Sequence, residues 1–280
     1  MPVTMTPLRY PGGKSQLYKY TKNLILNNNL TGCIYSEPYA GGCGLALQLL
    51  FDNLVEKLVL NDIDRSIYSF WWSVLNDKDN LIAKIKDTPV TIDEWYRQKD
   101  IQSQKNTVDL PSLGFSTFFL NRTNYSGIIG AGPIGGVKQI GNYKLDCRYK
   151  KADLIRKIEM VHSQRDSIEF HNKDAVVFFE ELNLFGNSEV FVFLDPPYFE
   201  KGPELYTNFY SVDDHINLAK HVSTLNQNWV VTYDNTEEIK AIYRGYEFGQ
   251  KEYSLRYSAR KNSMSTEVMF FSKNIVPLEF

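Results

Sequence analysis

The sequence predicts an α/β protein: a mostly parallel sheet flanked by helices, interrupted after its second strand by a mainly helical insertion. Three observations carry this expectation. Strand-like and helix-like patterns alternate before residue 64 and after residue 165, as parallel strands with helical crossovers require. Val190–Leu194 is an uninterrupted apolar run, the mark of a central strand buried on both faces. From Arg65 to about Leu120 no strand pattern occurs, and Ile67, Phe70, Trp71 and Val74 recur at helical spacing. The chain has 280 residues, enough for one large unit plus an insert when domains run to roughly 100–200 residues.

Taken in order, periodicity predicts a helix over 15–26, a strand ending at Glu37, a helix over 45–54 and a strand over 57–60, which together make a β-α-β unit. Further helices follow Asp79 and Ile92. Residues 127–141 hold six glycines and a proline and read as a loop or an irregular hairpin, followed by a helix over 152–161. Strands are expected at 167–171, 189–194, 228–233, 246–257 and 265–272, with helices at 174–183, 211–225 and 236–243. Only a polar turn around Lys261 and Asn262 separates the last two strands, so the sheet should finish in an antiparallel hairpin. Residues 1–64 and 165–280 thus form one domain, and 65–164 a domain inserted into it.

Composition excludes several classes. With 43% hydrophobic and 23% charged residues the chain is neither disordered nor fibrous. Cys33, Cys43 and Cys147 are widely spaced with no C-x-x-C pair, which argues against a disulfide framework or structural zinc and for reduced thiols. His162, His171, His215 and His221 show no metal spacing and read as surface or helix-face residues. The first 14 residues lack the apolar core of a secretion signal, and no apolar run approaches a membrane span. A soluble cytoplasmic protein, with no membrane partner and no metal, is expected. The net charge of −2 does not itself announce nucleic acid, but residues 65–164 carry +5 against −7 elsewhere. All of that excess lies in 120–164, where Lys138, Arg148, Lys150 and Lys151 stand. Such a run is either a solvated helix face or a nucleic-acid patch.

The strongest chemical signal is Asp195-Pro196-Pro197-Tyr198, directly behind the apolar run. Two prolines end the ladder and turn the chain out at the carboxyl end of the strand, where open α/β sheets bind ligands. There the Asp195 carboxylate and the Pro196 carbonyl offer two acceptors to the two N–H groups of an aromatic amine. Holding both hydrogens pyramidalises the nitrogen and frees its lone pair, while Tyr198 can stack on the base. A carboxylate is too weak a base to deprotonate such an amine first, so attack precedes proton loss.

A second signal, Glu37-Pro38-Tyr39-Ala40-Gly41-Gly42-Cys43-Gly44, joins a strand to a helix through a turn whose glycines let a ligand approach the backbone. Asp62 follows the next strand, where a nucleoside ribose meets a carboxylate in doubly wound folds. The third signal is Arg9-Tyr10-Pro11-Gly12-Gly13-Lys14. It is not a P-loop, since Leu8 stands where that motif needs glycine. Tyr10 and Lys14 could instead place a ring on an adenine and an ammonium near a carboxylate, as a nucleoside amino acid requires.

In this order, R-Y-P-G-G-K, E-P-Y-A-G-G-C-G, L-N-D-I-D, F-F-L-N-R-T-N-Y-S-G and F-L-D-P-P-Y resemble the motifs of the Dam-like, α-ordered D12 class of DNA adenine-N6 methyltransferases. The resemblance extends over essentially the whole chain. It implies a Rossmann-like fold dependent on S-adenosylmethionine, with S-adenosylhomocysteine as product and an inserted, mainly helical target recognition domain. It also implies a bacterial or phage-encoded enzyme acting on double-stranded DNA by base flipping. Carried over by residue, it places Tyr10, Lys14, Glu37, Ala40, Gly41, Asp62 and Asp195 at the cofactor, and Asp195, Pro196 and Tyr198 at the target base. Asn121, Arg122 and Tyr125 fall at the start of a DNA-contacting hairpin, with Lys138, Arg148, Lys150 and Lys151 as phosphate contacts. Ser126 stands where GATC-specific members have Asn, and Ile129-Gly130 replace their Cys-Arg pair, so the resemblance does not extend to the GATC sequence. The same tetrapeptide would also serve a cytosine amine or adenine in RNA, and an inactive DNA-binding relative is a further alternative. A cognate restriction endonuclease and the oligomeric state are left open.

Overall fold

The computed structural model describes residues 5–10, 14–182, 190–200, 210–246, 248–257 and 263–280; Pro11, Gly12 and Gly13 of the lysine motif and the turn at Lys261 and Asn262 lie outside them. Seven strands, β1 (Cys33–Glu37), β2 (Val55–Asn61), β3 (Ile168–His171), β4 (Val190–Leu194), β5 (Asn228–Asp234), β6 (Gly249–Tyr257) and β7 (Ser263–Phe271), form one sheet in the order β3-β2-β1-β4-β5-β7-β6. The first five are parallel and β7 runs antiparallel between β5 and β6, which makes the expected closing hairpin.

Helices cover both faces. They are α1 (Tyr18–Asn27), α2 (Gly44–Phe51), α3 (Arg65–Asn76), α4 (Lys78–Asp87), α5 (Ile92–Ser103), α6 (Leu110–Thr123), α7 (Lys151–Ser163), α8 (Ala175–Leu182), α9 (Val212–Ser223) and α10 (Glu237–Tyr243). Adjacent residues of β4 enter opposite layers. Phe191 and Phe193 pack with α1, α2, α3 and α7, whereas Val190, Val192 and Leu194 pack with α8, α9 and α10. The architecture is a three-layer, Rossmann-like α/β sandwich, and the unbroken apolar run follows from burial on both sides.

Helix starts follow local chemistry. The side chains of Asp64, Thr91 and Asp109 accept the backbone N–H of Ser66, Glu94 and Ser112 in the first turns of α3, α5 and α6. Ser211 and Asp214 form a reciprocal capping box on α9. Each cap supplies an acceptor to N–H groups that have no partner within the helix, worth about 1 kcal/mol apiece.

The stretch 65–164 is helical as expected, but its helices share an apolar cluster with the sheet: Phe70, Trp71, Leu154 and Ile158 belong with Leu58, Leu60 and Ile168. The insertion is therefore a boundary in chain order and not in packing. Residues 127–141 fold as successive turns with one isolated bridge, Asn124 to Pro133, in place of a hairpin of strands. His215, expected on a helix face, is fully buried with Nδ1 3.1 Å from the Tyr233 hydroxyl, because it shares the inner face of α9 with Leu218 and Ala219. Among the described residues, no helix is long and apolar enough to cross a membrane, and no group of three or more His, Cys, Asp or Glu could hold a metal ion.

Helices α3 and α6 pack tightly at Gly114, where an added Cβ would lie 2.4 Å from the Ser69 carbonyl oxygen and 2.4 Å from Ser73 Oγ. Gly114→Ala is expected to cost about 1–3 kcal/mol in urea denaturation by forcing these helices apart. Gly130→Ala, which meets nothing within 4 Å, should change stability by less than about 0.5 kcal/mol. Equal midpoints for the two variants would contradict the packing described.

Candidate active site

The chain leaves β1 toward β2 on one side and β4 toward β5 on the other, so the carboxyl ends of β1 and β4 flank the crevice at which doubly wound sheets bind ligands. Glu37 is the last residue of β1, and Asp195 directly follows β4. Between them lies Lys14, whose Nζ is 3.6 Å from Glu37 Oε2, 3.6 Å from Asp195 Oδ2 and donates to the Tyr39 carbonyl at 2.6 Å. These side chains are 10%, 1% and 13% exposed for Lys14, Glu37 and Asp195.

Burial raises the pKa of Glu37 and of Asp195, and the Lys14 ammonium opposes that rise in both. For Lys14 burial works against the charge, yet Glu37 and Asp195 outweigh it and hold the ammonium protonated. Two buried carboxylates sharing one cation leave the crevice with surplus negative charge. Glu37 Oε1 accepts from the Tyr35 hydroxyl at 3.0 Å, but Oε2 is buried without a hydrogen-bond partner. Its compensation is the charge of the Lys14 ammonium 3.6 Å away.

The glycine turn is shaped by Tyr10. A Cβ on Gly41 would fall 2.7 Å from the Tyr10 ring, and Gly41 has φ +51°, so only glycine meets both demands. Gly41 N donates to Asp62 Oδ2 at 2.9 Å, and its carbonyl accepts from the Trp71 indole at 2.9 Å. The second Asp62 oxygen accepts from Asp64 N, also at 2.9 Å. Burial nonetheless pushes the Asp62 carboxyl up to about 6. Asn61 ties the neighbouring loops together, donating to the Pro38 and Lys173 carbonyls and accepting from Lys173 N.

One cavity joins these groups. Tyr10, Lys14, Asp62, Asn121 and Asp195 line it among the residues expected from sequence. Glu37 stands behind Lys14, and Ala40 and Gly41 form the supporting turn. Sequence reasoning missed Ile63, Asp174, Ala175 and Tyr210, which also line the cavity. Asp174 had a local signal, since it caps α8 and its Oδ1 accepts from Val176 N at 2.9 Å.

The segment after β4 is fixed from β5. Thr232 Oγ donates to Asp195 Oδ1 at 2.7 Å, and the two Asp234 oxygens accept from Phe199 N and Glu200 N at 2.9 and 2.8 Å. Pro196 is buried and Pro197 lines the cavity. Tyr198, expected to stack on a base, is only 7% exposed and is hydrogen-bonded to Asp195, so its ring is not presented as an open platform here.

Residues expected at DNA divide into two groups. Tyr125 is 54% exposed, and Lys138, Arg148 and Lys150 are exposed. Asn121 is instead 1% exposed, and its amide is consumed internally: Oδ1 accepts from Arg9 N at 2.8 Å, and Nδ2 donates to the Arg9 and Gly127 carbonyls at 2.7 and 2.8 Å. A direct DNA contact by Asn121 is thereby corrected to an internal clamp. Lys151 is corrected likewise, because its ammonium caps α4 at the carbonyls of Lys86 and Thr88, 2.6 and 3.0 Å away. Arg122 is half-buried and donates to the Arg148 and Pro7 carbonyls, and burial together with Arg9 lowers its pKa to about 10.

The chain is similar to several known proteins. The family model described as D12 class N6 adenine-specific DNA methyltransferase matches residues 10–258. The chain is 23% identical over 270 residues to the Type II methyltransferase M.CviBI of Paramecium bursaria Chlorella virus NC1A, covering 94% of this chain and 96% of that protein. It is 26% identical over 240 residues to the Type II methyltransferase M.MjaIII of Methanocaldococcus jannaschii, covering 79% and 80%. Among solved structures, a putative RNA methyltransferase from Pyrococcus horikoshii aligns over 96% of this chain and 87% of its own, with 9% identity and a TM-score of 0.44.

Lys14→Met should destabilise the protein by about 3–5 kcal/mol at pH 8, since it strands two buried carboxylates. Without the ammonium, Glu37 and Asp195 are held further above their unfolded pKa values. The stability they permit at low pH is then lost as pH rises, so the deficit should shrink at pH 5. Urea titrations at both pH values check this, and a pH-independent deficit would contradict it.

Proposed function

The chain belongs to the D12 class N6 adenine-specific DNA methyltransferase family, and from that premise we propose that it transfers a methyl group from S-adenosylmethionine to the exocyclic amine of adenine in duplex DNA. The single observation that carries this reading is the meeting of Lys14, Asp195 and Asp62 on one cavity, with Glu37 paired to Lys14 from behind. A methyl donor with a net positive charge, a ribose and an amino acid end suits these residues. Asp62 offers lone pairs to the ribose hydroxyls, and the surplus negative charge beside Lys14 favours a cation. S-adenosylmethionine, when bound, supplies an electrophilic methyl group.

The protein's own part is orientation. Asp195 and the Pro196 carbonyl accept the two amine hydrogens, so the nitrogen lone pair leaves conjugation with the ring and points at the methyl group. The raised pKa of Asp195 suits it to accept the proton released after attack. Lys14 keeps the carboxylate in place and protonates neither partner. The base reaches this crevice by leaving the helix, which costs a few kcal/mol. The exposed cations Lys138, Arg148 and Lys150, together with Tyr125, form the surface that would engage the duplex, the lysines and arginine through phosphates. In this reading residues 65–164 act as the target recognition part, and the enzyme is a site-specific, adenine-specific DNA methyltransferase.

The purified protein, given unmodified genomic DNA and the methyl donor, should produce N6-methyladenine at a short recurring sequence, detected by nucleoside digestion and long-read mapping. Asp195→Ala should lower the rate by at least about a thousandfold. Methylated cytosine as the product, modification of RNA alone, or full activity of Asp195→Ala would each overturn the reading.

A further inference from the structure

Asp195 is held from one side by a residue that none of the sequence motifs singles out. Thr232 is fully buried on β5, one residue beyond Val231, the partner of Leu194 in the ladder. Its hydroxyl lies 2.7 Å from Asp195 Oδ1 and 3.3 Å from the Leu194 carbonyl. Asp195 Oδ2 lies instead 3.6 Å from Lys14, and both residues line the cavity. Farther along the same strand, Asp234 holds the amides of Phe199 and Glu200, so β5 fixes both ends of the segment that carries the tetrapeptide.

We propose that Thr232 is a positioning residue for methyl transfer: its hydroxyl fixes Asp195 Oδ1 against β5, which leaves Oδ2 to face Lys14 and the incoming amine. The inference rests on the reading of Asp195 given above. While Asp195 is ionised, Thr232 donates to Oδ1. When the released amine proton passes to Oδ2, Oδ1 becomes the carbonyl oxygen of the acid and Thr232 still donates to it, with no heavy atom moving. Both protonation states are thereby satisfied in a buried place where an unpaired group is costly. Lys14, Glu37 and Tyr198 also face this carboxylate, so Thr232 acts together with them and not alone.

The test compares Thr232→Val, which keeps the shape and removes the hydroxyl, with Thr232→Ser, which keeps the hydroxyl. In single-turnover assays Thr232→Val should lower the methyl-transfer rate about 10- to 100-fold, the worth of one hydrogen bond to a charged group, while the dissociation constant for the methyl donor changes less than about twofold. The acid limb of its pH–rate profile should move to higher pH, because the ionised carboxylate has lost a donor. Thr232→Ser should restore both rate and profile. An unchanged rate in Thr232→Val, an equal loss in Thr232→Ser, or a loss explained by a lowered melting temperature would overturn the proposal. If Asp195→Ala remains active, the reading of Asp195 itself fails. If Asp195→Ala is inactive while Thr232→Val is normal, only the role of Thr232 fails.

Discussion

Two carboxylates at the ends of neighbouring strands converge on one buried ammonium, and the rest of the site depends on this contact. Glu37 leaves β1 and Asp195 leaves β4 at the point where the order of the parallel sheet reverses, and Lys14 spans the gap. Without the cation, two negative groups would face each other with little water to separate them. With it, the turn at Lys14 is anchored to the centre of the sheet, and the crevice retains excess negative charge. The contact is thus both a structural tie and an incomplete binding site.

Around it, short polar side chains fasten the loops that a ligand must touch. Asn61 joins the turn after β1 to the loop after β3, and Asn172 donates to the carbonyls of Asp62 and Ile63. Asn121 fastens the Arg9 backbone to Gly127. Arg9 adjoins Tyr10, which lines the cavity, and Gly127 begins the glycine-rich segment near the exposed basic residues. One buried amide therefore connects the two regions that the proposed reaction must coordinate. Since the inserted helices also share the apolar cluster of the sheet, neither region packs as an independent body.

Much of this was legible in the sequence because it depends on local rules. The apolar run of β4 followed by two prolines announced a buried strand and an abrupt exit, whereas the glycine turn after Glu37, read as room for a ligand, is packed by the Tyr10 ring. Residues whose roles come from distant partners were not legible. Lys151 reads as a surface cation until α4 brings carbonyls to it, and Asn121 reads as a polar recognition residue until Arg9, 112 positions away, occupies its amide. Thr232 carries no local signal, since only the pairing of β4 with β5 sets it beside Asp195. His215 does lie on a helix face, and it is the inner one, which only the packing of α9 on the sheet decides.

The central claim is that the crevice between β1 and β4 is where the methyl donor sits, and a crystal structure with S-adenosylhomocysteine tests it most directly. The expected result places the ribose hydroxyls on Asp62, the amino acid end beside Glu37 and Lys14, and the sulfur on the side of the cavity nearest Asp195. A molecule bound elsewhere, with the cavity filled by side chains, would contradict it.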